Sequence, residues 1–114
     1  MSTFIPLTAD DVNYQDPSER MMNGLMLAVE MDRYDMAKLI AEDHRSDLEL
    51  KNNAGETALH IAIRRGNFRM QRMLVGEGAN IHARIGENGP TAISYAMSLL
   101  GEAGEEGEEE IVIR

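Results

Sequence analysis

Residues 55–66 read GETALHIAIRRG, with Thr57 three positions before His60 and a glycine at either end. A Thr-x-x-His pair beside small residues could open a catalytic site or could hold a fold together, and the rest of the chain decides which. Sliding by 34 residues lays TALHIAIRRGN, from residue 57, over TAISYAMSLLG from residue 91 and over NGLMLAVEMDR from residue 23. Leu25, Leu59 and Ile93 then align, as do Ala28, Ala62 and Ala96. Three copies at one period mark a repeat protein, in which each unit buries its apolar surface against its neighbours.

Inside each period the apolar spacing is helical. Leu25, Ala28 and Val29 are followed, after a polar gap, by Met36, Leu39 and Ile40. The second period repeats the plan with Leu59, Ala62 and Ile63, then Met70, Met73 and Leu74. These i, i+3, i+4 patterns predict two short helices per unit. The intervening MDRYD and RRGNF read as tight turns, and Gly78 suits a left-handed helix terminus. KNNAGE and GENGP supply the Asn and Gly of turns leading into the next unit.

The second period, NNAGETALHIAIRRGNFRMQRMLVGEGANIHA, resembles an ankyrin repeat, with Gly55, Thr57, Leu59, His60, Ala62, Gly66, Leu74, Gly78 and Ala79 where that family has them. It departs at Ala58, where the family favours Pro, and at His82, where Asn is common. The flanking units keep the apolar skeleton, but Asn23 and Met26 replace Thr and His in the first, and Ser94 replaces His in the third. The resemblance implies an all-α ankyrin-repeat solenoid of stacked antiparallel helix pairs with degenerate capping units at the ends. The expected organisation is an N-terminal segment with a turn-like finger at 1–20 and a repeat domain at 21–100. Its units lie near 21–50, 51–83 and 84–114, and residues 101–114 form a Glu-rich segment, a remnant of a capping helix. In that segment Ile111, Val112 and Ile113 are expected to dock on the last helix or on the same place in another copy.

Composition fits this reading. At 114 residues, with aromatics at 4%, the core must be aliphatic, and the nine Met read as core filler rather than as a binding surface. There is no Cys, hence no disulfide framework or thiolate zinc site. The N-terminus lacks the basic start and apolar run of a secretory signal, and no apolar stretch approaches a membrane span, so the chain is expected to be intracellular and cytoplasmic. Net charge is −9, of which −5 falls in residues 101–114, so neither nucleic acid nor an anionic membrane is an expected partner.

Against that frame Thr57 and His60 read as structural. Thr57 can cap a helix, and His60 can bond it and the neighbouring turn. No nucleophile or metal ligand stands at a useful spacing from either, so no catalytic residue, metal or cofactor is expected. His44 and His82 are isolated, and the acidic loop EDHRSDLE lacks the Gly of a Ca²⁺-binding turn. The expected function is protein–protein interaction through the concave ankyrin face. By the family pattern that face carries Glu30, Met31, Asn53, Ala54, Glu56, Arg64, Arg65, Glu87, Asn88, Ser98 and Leu99, with Arg64 and Arg65 as anchors. The alternative is an acidic inhibitor, antitoxin-like in use, that masks a basic surface of its target. Weak self-association through the C-terminal end is also expected.

Overall fold

The structure, a computed structural model, describes residues 12–103, with side chains through residue 99. A 3-10 turn at Pro17–Glu19 precedes five helices: α1 (Gly24–Glu30), α2 (Tyr34–Glu42), α3 (Ala58–Arg64), α4 (Phe68–Gly76) and α5 (Ala92–Ala103). Helices α1, α3 and α5 pack side by side as an inner row, and α2 packs on α4 as an outer row. Among the described residues there is no strand, only two isolated bridges, Asp16–Met22 and Arg84–Thr91, within the fingers that join the units.

The period sets where the inner helices begin. Asn23, Thr57 and Thr91 stand 34 residues apart. Their side-chain oxygens accept from the backbone N–H groups of Met26 at 2.8 Å, His60 at 3.4 Å and Ser94 at 3.2 Å. Each satisfies a donor that the first helical turn leaves without an intrahelical partner. The reversal into the outer helix needs a left-handed residue, supplied by Asp32 (φ 59°) and by Gly66 (φ 68°). Leu25, Met26, Val29, Ile61, Met70 and Leu74 are buried where the rows meet. Fully burying such a side chain contributes about 1.5–3 kcal/mol.

Two expectations about packing need correction. Met36 and Leu39 do not line the core; Ala37 and Ala41 are buried instead, with Ile40 half-buried. One unit later the reverse holds, since Met70 and Met73 are buried while Gln71 is half-buried and Val75 exposed. The cause is position in the stack: among the described residues α4 has an outer helix before it, whereas α2 has one only after it. The methionines likewise divide. Met22, Met26, Met70 and Met73 fill the core, but Met31, Met36 and Met97 are exposed. The expectation that Ile111, Val112 and Ile113 dock on the last helix lies outside the described residues.

His60 ties the middle unit to the last. Its Nδ1 accepts from the Thr57 N–H at 3.0 Å and lies 2.9 Å from Thr57 Oγ1. That makes the ring a neutral Nε2–H tautomer, and Nε2 donates to the Ala83 carbonyl in the next finger at 3.0 Å. The Tyr95 ring of α5 closes over it with centroids 6.3 Å apart. The finger tips are joined as well. The Asn53 N–H donates to Arg20 O and the Gly86 N–H to Gly55 O, each at 2.9 Å. Gly55 has φ +81°, and a Cβ there would stand 2.5 Å from Gly86 N.

Burial holds the His60 ring neutral, its titration pushed below the ordinary value of 6.5, although the Ala83 carbonyl and Glu56 pull the other way. The unfolded chain therefore takes up a proton below about pH 6.5 that the folded chain refuses, so stability present above that value falls as pH drops through the window beneath it. His60→Ala should destabilise the protein by about 1–3 kcal/mol at neutral pH and remove this step from a stability-versus-pH curve. A curve unchanged by the substitution would contradict the role given to the ring. Gly55→Ala should cost more than Gly66→Ala, since both have positive φ but only the Gly55 site has backbone in the way. Equal losses in denaturant titrations would show that the tip contact carries no stability.

Candidate interaction face

The inner row and the finger tips bring most of the expected face together. Glu30 ends α1 and Arg64 ends α3, one period apart. Arg64 Nη2 donates to Glu30 Oε1 at 3.0 Å, linking equivalent positions of adjacent units. The same guanidinium donates through Nε to Glu56 Oε2 at 2.8 Å and through Nη2 to Glu56 Oε1 at 3.2 Å. This two-point fit to a carboxylate is the geometry that arginine makes best. Asn52 completes the cluster, with its Oδ1 accepting from the Ala54 and Glu56 N–H groups at 2.9 and 3.0 Å and its Nδ2 donating to Glu56 at 3.2 Å.

These bonds revise the roles of two residues. Glu56 is only 7% exposed, so it does not present its carboxylate to a partner. Burial alone would raise its titration, but Arg64 and Asn52 outweigh burial and hold it below the usual carboxylate value. The stability this contributes is present above that usual value and is lost as pH falls through the depressed one. Arg64 is raised further above its already high value by Glu56 and Glu30. It is therefore the centre of an internal ion network rather than an unengaged anchor. Arg65 is held more loosely, with one contact to Glu30 at 3.8 Å and nearly half its side chain exposed. A contact of that kind is worth about 0–1 kcal/mol.

The other expected residues stay on the surface. Met31 is 60% exposed next to Glu30. Asn53, Ala54, Glu87 and Asn88 are exposed at two finger tips that the Gly86–Gly55 hydrogen bond sets side by side. On α5 Ser98 is exposed and Leu99 half-buried. Sequence reasoning missed Asn52, whose signal was the Asn-Asn start of the KNNAGE turn. It also missed the pairing of Glu30 with Arg64, signalled by opposite charges one period apart. No group of three metal-capable side chains converges among the described residues.

Arg64→Ala should destabilise the fold by about 1–3 kcal/mol in chemical denaturation, because it strands the buried Glu56 carboxylate. Arg65→Ala should stay within about 0.5 kcal/mol. Matching effects for the two would show that the Arg64 ion pairs carry no more stability than the single Arg65 contact.

The family description "Ankyrin repeats (3 copies)" matches residues 5–85 and 25–112. The NF-kappa-B inhibitor cactus is 40% identical to the chain over 52 residues in both Drosophila yakuba and Drosophila melanogaster. That alignment covers 46% of this chain but only 11% and 10% of the two relatives. Alpha-latrocrustotoxin-Lt1a of Latrodectus tredecimguttatus is 28% identical over 78 residues, covering 67% of this chain and 6% of the toxin. The chain thus spans a small part of these relatives. Among solved structures, a chain from the complex of the Bd0816 predatory endopeptidase of Bdellovibrio bacteriovorus with immunity protein Bd3460 superposes with a TM-score of 0.62. It shares 32% identity, and the match covers 83% of this chain and 52% of that one. No helix among the described residues is long and apolar enough to cross a membrane. The repeated caps, the stacked fingers and the family match together make this chain a member of the ankyrin-repeat family, whose members are typically non-catalytic protein-interaction modules.

Proposed function

We propose that this chain binds one partner protein through the face formed by its inner helices and finger tips, and acts by occupying the partner's surface. The observation that carries the reading is the division of groups on that face. Its strongest charges, Arg64 and Glu56, are spent on each other, while Met31 and Arg65 flank Glu30 unburied. A rigid, internally neutralised floor with an exposed thioether and a loosely held guanidinium resembles the centre of a contact patch, where Met and Arg are enriched. Three units offer a small face, so a loop, helix or peptide segment suits it better than a broad domain surface.

A second reading is favoured by what the similar proteins are named for. Cactus is named as an inhibitor, and the similar solved structure is a complex that contains an immunity protein. With a net charge of −9, this chain could likewise mask a basic surface of its target. The two readings part on salt. An interface held by complementary charge loses affinity and association rate steeply with ionic strength, whereas one held by packing does not.

Affinity capture from the source cell, read by mass spectrometry, should recover a protein with the parent that Met31→Asp/Arg65→Ala fails to retain. The double variant should bind the recovered partner at least tenfold more weakly, about 1.4 kcal/mol, with an unchanged melting curve. Undiminished binding by that variant, with loss on altering Glu87 and Asn88 instead, would move the contact to the finger tips. Capture of nothing but chaperones would count against the interaction reading as a whole.

A further inference from the structure

The two ends of the stack are complementary to one another, and we infer that the C-terminal end of one copy receives the N-terminal end of a second, head to tail. The argument starts from the joint inside the chain. Where α4 packs on α2, Met70 and Met73 are buried on one side, and Ala37, Ala41 and the partly covered Tyr34 on the other. Four of the five counterparts one period away are exposed, and the fifth, Gln71, is half-buried. Met36 and Leu39, equivalent to Met70 and Met73, are 49% and 67% exposed on the outer face of α2. Phe68 and Val75, equivalent to Tyr34 and Ala41, are 62% and 44% exposed on the far side of α4.

One end thus presents the knobs, and the other presents the surface that such knobs enter inside the chain. The receiving side is an open groove of about 410 Å³, walled by Leu59, Ile63, Phe68, Val75 and Ile93, with Arg72 at its border. The presenting side carries Asp32 and Asp35 together with Arg33 and Arg69 around Met36 and Leu39, so the match between the ends is one of apolar shape rather than of net charge. The groove lies where an outer helix of the third unit would stand. In register, the sequence has no apolar residues at the positions that would correspond to it. Shifting Met70, Met73 and Leu74 forward by one period gives Gly104, Gly107 and Glu108, which have no apolar side chain to offer. Helix α5 also runs 12 residues, against 7 for α1 and α3, and so passes the point at which they turn back. A second copy supplies through Met36 and Leu39 what this segment lacks.

Contact between unlike ends of identical chains is heterologous, so it adds copies without closing, and the limited apolar area makes each step weak. The inner face remains uncovered in such a row and is lengthened by each copy. This inference is independent of the identity of any partner bound there.

Sedimentation equilibrium tests it with two variants, Met36→Glu/Leu39→Glu at the presenting end and Phe68→Glu/Val75→Glu at the receiving end. The parent's average mass should rise with concentration past that of a dimer. Each variant alone should remain monomeric with an unchanged circular dichroism spectrum, and an equimolar mixture should stop at a heterodimer, because each retains one working end. A parent that stays monomeric at every concentration overturns the proposal. So does either variant dimerising alone, or a mixture of well-folded variants that remains monomeric. Because the chain has no native cysteine, Leu39→Cys and Val75→Cys give a second measurement that uses milder substitutions. The mixed pair should form an intermolecular disulfide at least tenfold faster than either variant with itself. Equal rates would overturn the head-to-tail geometry.

Discussion

A helix of seven residues has barely two turns, too short to persist in water on its own, and α1 and α3 are both of this length. Everything else in the molecule depends on the joint that lets one such helix pair lean on the next. The joint has three parts, at different heights of the stack. Apolar side chains fill the space between rows, His60 reaches from α3 to the Ala83 carbonyl, and backbone hydrogen bonds link one finger tip to its neighbour. The last two are contacts between units, and the apolar packing runs both within and between them. The middle unit has a neighbour on both sides and buries Ile61, Met70 and Leu74 completely, where the first unit leaves Met36 and Leu39, the counterparts of Met70 and Met73, exposed.

The same dependence governs the electrostatics. Glu30 and Arg64 belong to successive units, and their ion pair forms only if the stack sets the inner helices in register. With Glu56 and Asn52 they make a network at the edge of the core, and among the described residues no buried side-chain polar atom is left without a partner. Removing Arg64 leaves the buried Glu56 carboxylate without its cation, and breaking such a pair from one side is costly. On the proposed reading, a partner would meet the side chains the network does not use, principally Met31, Arg65 and the polar finger tips.

Much of the fold could be read from the sequence because the period of 34 residues is a one-dimensional signal. Thr57, His60, Gly55 and Gly78 each stand where only a cap, a bridging ring or a left-handed backbone would explain them. The face was less legible. Helical spacing groups Met36 with Leu39 and Ile40, but which side of a helix is covered depends on whether a neighbour exists, and that is a property of the end of the array. For the same reason Glu56 looked like a finger-tip carboxylate until Arg64, eight residues later, was seen to fold back over it. Charge sign is visible in a sequence; whether a charge is already engaged is not.

Native-state hydrogen exchange tests the account of the joint most directly, because it reads the opening free energy of each amide separately. If stability resides in contacts between units, protection should peak in α3 and the core-facing residues of α4. It should decline toward α2 on one side and the C-terminal half of α5 on the other, where helices lack a second neighbour. Uniform protection across all five helices, or a maximum at either end, would contradict the claim that the middle unit holds the stack together.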